Sequence, residues 1–160
     1  MSHSSIPQAL REVVVRRGAG RCQHCRLAQL GHGATFHVDH IVPRSRGGAT
    51  SLDNLALQCP NCGLRKASKT FAIDPQSGQS IALFHPLLQA WGEHFRLLDD
   101  ATCVGITPVG RATGEALQMN AMIPRFARAC QLALVSSARV DRSAKVIVDT
   151  VTLRKIWPRR

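Results

Sequence analysis

The apolar positions of the chain change period from segment to segment, and each change marks a change of element. Leu10, Val13 and Val14 recur at helical spacing up to Arg17, and Gly18 closes the run. Ser5, ahead of Ile6 and Pro7, suits an N-cap, so a short amphipathic helix is expected there. Over 34–42 the pattern switches to alternation, with Phe36, Val38, His40 and Val42 on one face and His37, Asp39 and Ile41 on the other. That is the pattern of a strand. PRSRGGATS reads as a loop from its Pro, Gly and Ser content, LDNLALQ as a short returning strand, and GLRKASK as the beginning of a helix.

Further along, FAIDPQSGQS holds two turn signals, Asp74-Pro75 and Ser77-Gly78. After Pro86 a helix is expected, with Leu87, Leu88, Trp91, Phe95 and Leu98 near one stripe and the two aromatics in the core. Thr107-Pro108 pairs a cap with a first-turn proline, and the helix behind it would carry Ala112, Leu117 and Met119. Another helical stretch runs over 124–135.

Composition narrows the picture. The chain has 160 residues, 44% of them hydrophobic, which is enough for one folded core. No apolar run approaches the roughly 18 residues of a membrane-spanning helix, and MSHSSIPQAL lacks the apolar centre of a secretory leader. A cytoplasmic chain with no membrane partner is therefore expected. Lys and Arg number 21 against 10 Asp and Glu, a net charge of +11, which points to a polyanion and first of all to nucleic acid. Five Phe, two Trp and no Tyr argue against a base-stacking platform. From Arg139 onward seven Lys and Arg stand against two Asp, a basic tail.

Six cysteines add the first candidate chemistry. Cys22, Cys25, Cys59 and Cys62 form two CxxC pairs, the spacing at which four thiolates enclose one structural zinc ion. Cys103 and Cys130 stand alone and read as small buried hydrophobes. The 33 residues between the pairs exceed the roughly 15 to 20 of a simple zinc ribbon, so something folded sits inside the zinc loop.

That insert holds Asp39-His40, then Asn54, with Lys66 just beyond the second pair. A carboxylate can hold a hard divalent cation, an imidazole can take a proton from water near neutral pH, and an amide can fix a loop. Clustered carboxylates for a two-metal site are missing, since only Asp39 and Asp53 lie between the knuckles.

With these residues, FHVDHIVPRSRGGATSLDNLALQCPNCGLRK resembles the HNH endonucleases, and LFHPLLQAWGEHF and GITPVGRAT resemble segments that follow the motif in a group of small bacterial HNH proteins. The resemblance implies an α+β fold, with a ββα-metal (His-Me finger) core containing both CxxC zinc knuckles and a mainly helical C-terminal extension. The corresponding divisions are an N-terminal helix at 1–20, a nuclease core at 21–72, a helical extension at 73–138 and the basic tail at 139–160. It implies an endonuclease that hydrolyses DNA, here duplex DNA, with one divalent cation (Mg²⁺, or Mn²⁺ or Ni²⁺) and no small-molecule cofactor. Carried over by residue, His40 is the general base, Asp39 the metal ligand, and Asn54 the residue that holds the loop and orients His40. Arg65, Lys66 and Lys69 beside the helix start are candidate phosphate contacts, with Arg44, Arg46 and Arg111 as weaker ones.

Two features depart from the simple pattern. A regular strand sends Asp39 and His40 to opposite faces, so a bulge or strand end is expected there. Gly63 stands where the family has His or Asn as second metal ligand. Either Gly63 is the positive-φ turn residue of the knuckle and His37, with Asn61 behind it, completes the site, or the site is degenerate and the protein binds DNA without cutting it.

Overall fold

The computed structural model describes residues 6–30 and 33–140, with side chains up to residue 135. The expected Ser5 cap and the basic tail beyond residue 140 lie outside the described residues. The architecture mixes α and β: helix α1 (Gln8–Gly18), strand β1 (His37–His40), a 3₁₀ turn (Arg44–Arg46), strand β2 (Leu55–Gln58) and helix α2 (Pro60–Lys66). β3 (Phe71–Ile73), β4 (Ser80–Ala82), α3 (Trp91–His94), β5 (Phe95–Leu97), β6 (Cys103–Gly105), α4 (Pro108–Ala116) and α5 (Met122–Val140) follow.

β1 and β2 form an antiparallel ladder in which His37 faces Gln58, Val38 Leu57, Asp39 Ala56 and His40 Leu55. Opposed residues share a face, so His37, Asp39, Ala56 and Gln58 lie on one side and Val38, Leu55 and Leu57 on the other. α1 covers the second side. Its Val14 is fully buried, Arg17 donates to the Leu52 and Leu55 carbonyls, and Gly18 packs so tightly that a Cβ would lie 2.9 Å from Leu57. α2 faces the first side.

The cysteines share one apolar cluster with Leu27, Phe36, Val38, Leu55 and Leu57, and the same cluster continues into Phe84, Phe95, Leu117 and Met119 from the second half of the chain. Trp91 stacks on Phe95 at 5.2 Å and donates from Nε1 to the His24 carbonyl at 2.8 Å, tying the second half to the first CxxC turn. Gln131 of α5 adds a two-way bond to the main chain of Ala28.

The second half departs from the helical expectation. FAIDPQSGQS is a hairpin: β3 pairs with β4, and Asp74 closes the turn by accepting from Ser77 Oγ and a bidentate pair from Arg111, which holds its carboxyl well below the usual carboxylate range. The helix expected from Pro86 to Leu98 is reduced to the single turn of α3, after which β5 pairs with β6. The His94 carbonyl accepts from Ile106 N–H instead of a helical amide, and the main chain at Gly110 approaches that carbonyl so closely that a Cβ would lie 2.0 Å from it. A tertiary hydrogen bond has replaced the next helical one. The contact of Trp91 and Phe95 that produced the helical pattern survives, now between the first residue of α3 and the first of β5.

α4 begins as expected, Thr107 Oγ1 accepting from Gly110 N ahead of Pro108, but it ends before the buried Leu117 and Met119. α5 contains the stretch expected over 124–135. Cys103 is buried against Met119, whereas Cys130 is exposed on α5, because its position falls on the outer side of that helix. No helix among the described residues is long and apolar enough to cross a membrane.

Candidate functional site

The cysteine pairs are brought together by two short turns locked to β2. Gln23 N–H donates to the Leu57 carbonyl, and Leu57 N–H returns a bond to Gln23 Oε1, so the first pair is pinned to the strand that leads into the second. Cys59 caps α2, its sulfur accepting from Cys62 N–H at 3.5 Å. All four sulfurs lie within 4.8 Å of one another and are buried, and Cys25 and Cys59 Sγ are 3.7 Å apart. Zinc–sulfur bonds of about 2.3 Å in a tetrahedron place sulfurs roughly 3.8 Å apart, so the cluster fits a zinc ion with a closed shell. Among the described residues this is the one group of three or more His, Cys, Asp or Glu side chains close enough to share an ion.

Asp39 and His40 end β1. The ladder pairs one residue with one through both of them, so there is no bulge; the strand simply stops. At that end Asp39 Oδ1 accepts from His40 N–H at 2.7 Å and lies 3.9 Å from His40 Nδ1. His40 Nε2 is 2.9 Å from Thr50 Oγ1. Burial holds the imidazole below its ordinary pKa; Asp39 opposes this, and Arg44 and Lys66 add to it. The ring is therefore neutral near pH 7, the form a general base requires.

Asn54 holds the loop. Its Oδ1 accepts from Val42 N–H and its Nδ2 donates to the Val42 and Ala49 carbonyls, at 2.8 to 3.0 Å. Gly48 makes room for this clamp, since a Cβ there would lie 1.8 Å from the Val42 oxygen and 2.8 Å from Asn54 Nδ2. The His40 ring is hydrogen-bonded to Thr50 rather than to Asn54, whose side-chain bonds go to Val42 and Ala49; a threonine in a Gly-rich loop carries no local signal for that role.

Lys66 is placed differently from a phosphate contact. It is 2% exposed, and its Nζ donates to the His40 carbonyl at 2.9 Å. The exposed cations nearby are Arg44, Arg46, Arg65 and Lys69, with Arg46 Nε bridging to the Ser68 carbonyl and Lys69 Nζ to that of Arg65. Arg111 is committed to Asp74.

His37 and Asp39, on the face toward α2, line a groove of ≈ 490 Å³ that is also lined by Gln58, Gly63, Leu64 and Ala67. An imidazole and a carboxylate two residues apart on one strand face fit a divalent cation, with open space opposite. Asn61 does not stand behind His37, because its Nδ2 donates to the Leu117 carbonyl. Gly63 is not a positive-φ turn residue either. It lies inside α2, and a Cβ there would meet nothing closer than Gln58 Oε1 at 3.7 Å. Backbone geometry does not require glycine at this position; its effect is to leave the groove unfilled.

Neither a curated protein nor a solved structure matches the chain. Residues 22–69, which contain all four clustered cysteines, Asp39-His40, Asn54 and α2, match the family model described as HNH endonuclease.

Proposed function

We propose that the protein is a metal-dependent endonuclease that hydrolyses phosphodiester bonds of duplex DNA through a one-metal site on a ββα-metal core. The observation that carries this reading is the end of β1, where a partly buried His40 sits beside Asp39 within the segment that matches HNH endonucleases. Asp39 and His37 would hold the cation, which when bound neutralises charge on the scissile phosphate and the leaving oxygen. His40 is the general base. With its proton on Nε2 and donated to Thr50 Oγ1, Nδ1 presents a lone pair to the attacking water.

The main chain of His40 is steadied by Lys66, and the loop that carries Thr50 is steadied by Asn54. Arg44, Arg46, Arg65 and Lys69 meet the phosphates, so binding should weaken steeply with salt. Zinc in the cysteine cluster has a structural role, because four thiolates leave no open position for water.

Gly63 favours a second reading, a zinc-containing DNA-binding protein with a lapsed catalytic site, since α2 offers the groove no ligand at that position. Supercoiled-plasmid cleavage with Mg²⁺, Mn²⁺ or Ni²⁺, wild type beside His40→Ala, separates the two. Nicked or linear product that needs both the cation and His40 supports the nuclease. Salt-sensitive binding without product under any cation supports the lapsed site.

A further inference from the structure

Gln58 is the last residue of β2 and is 0% exposed, yet neither its Nε2 nor its Oε1 has a hydrogen-bond partner. A buried amide in that condition is unfavourable, and such a group is kept where a ligand, an ion or an ordered water satisfies it. Its surroundings identify the ligand. Gln58 is directly opposite His37 in the ladder and diagonal to Asp39, on the same face. Opposed side chains start about 5 Å apart, and diagonal ones are within reach of a long side chain.

Across the groove α2 presents Gly63 and Leu64, with Ala67 just past its end, and none of these side chains can bind an ion. The place where a side chain at position 63 would begin is 3.7 Å from Gln58 Oε1, so the amide oxygen and the missing helix ligand address the same space. An amide oxygen is a neutral, hard donor, suited to Mg²⁺ or Mn²⁺ beside one carboxylate.

We propose that Gln58 Oε1 is the third protein ligand of the divalent cation held by Asp39 and His37, supplying from β2 what α2 lacks at Gly63. This rests on the nuclease reading of the groove given above. The site would then be rearranged rather than lapsed, with the donor moved from the helix to the strand that faces it.

Mn²⁺ binding to the zinc-loaded full chain, followed by the loss of the free-ion electron paramagnetic resonance signal, tests the assignment without relying on cleavage. The expected results are at least tenfold weaker Mn²⁺ binding in Gln58→Leu with unchanged zinc content, tighter binding in Gln58→Glu, and no binding at this site in Asp39→Ala. Adding Gly63→Asn to Gln58→Leu should restore affinity. Without Mn²⁺, Gln58→Leu should melt no lower than wild type, because it removes an unpartnered amide.

Wild-type affinity in Gln58→Leu, with binding still lost in Asp39→Ala, overturns the role of Gln58 and leaves the nuclease reading standing. Equal binding by wild type and Asp39→Ala, or binding by neither, overturns the reading of the groove and the inference with it. Should Gln58→Leu fail to fold, Gln58→Glu still decides: unchanged or weaker Mn²⁺ binding overturns the assignment.

Discussion

The cysteine cluster and the Asp39 groove are built on opposite principles although both adjoin α2. The cluster draws four donors of one kind from two turns, buries all of them, and pins the turns with the reciprocal bonds of Gln23. The groove draws unlike donors from two strands, leaves Asp39 and His37 accessible, and has no donor on the helix side. A closed site of matched ligands suits an ion that supports the fold, and an open one suits an ion that must admit substrate. The difference teaches that the two sites can be perturbed separately. A hard cation placed in the groove would need few protein ligands, since such an ion keeps several waters in any case.

The largest expected effect comes from the closed site. Cys62→Ser, or removal of zinc by a strong chelator, should abolish the cooperative thermal transition followed by circular dichroism, since structural zinc sites contribute apparent free energies on the order of 10 kcal/mol. A folded, active, zinc-free protein would break the comparison. Next, His40→Ala should lower the plasmid-nicking rate about a hundredfold or more while zinc content and melting temperature stay at wild-type values. A parallel loss of stability would mean that the two sites are not separable.

Asn54→Ala removes three hydrogen bonds of the loop clamp and should lower the unfolding free energy in urea by about 2 kcal/mol, with zinc retained. The smallest effect is expected for Thr50→Val. Losing the hydroxyl beside His40 Nε2 should slow cleavage roughly tenfold while lowering the unfolding free energy by no more than about 1 kcal/mol, the worth of one hydrogen bond.

What could be read from the sequence followed from how local each signal is. CxxC turns bring their own ligands together within four residues, so the cluster needed no tertiary information beyond pairing the two turns. Asp39-His40 is adjacent in the chain, and Thr107-Pro108 forms its cap locally. Gln58, in contrast, ends the otherwise apolar strand LALQ, and its unpartnered state exists only once β1 and α2 enclose it. Lys66 reads as a surface cation because lysine is seldom buried, and only the fold shows its Nζ turned onto a carbonyl. The failed helix over 86–98 has the same cause, since Ile106 N–H takes the His94 carbonyl from beyond the segment while Gly110 packs against it.

The bond between Gln131 and Ala28 has a consequence for the order of assembly, because it spans 103 residues. Loop-closure entropy grows with the length of chain enclosed, so contacts within 22–62 can form well before this one. As the polypeptide leaves the ribosome, both cysteine pairs emerge and can capture zinc while α5 is still being synthesised. The bond of α5 to Ala28 is therefore expected to close after the two cysteine turns have met.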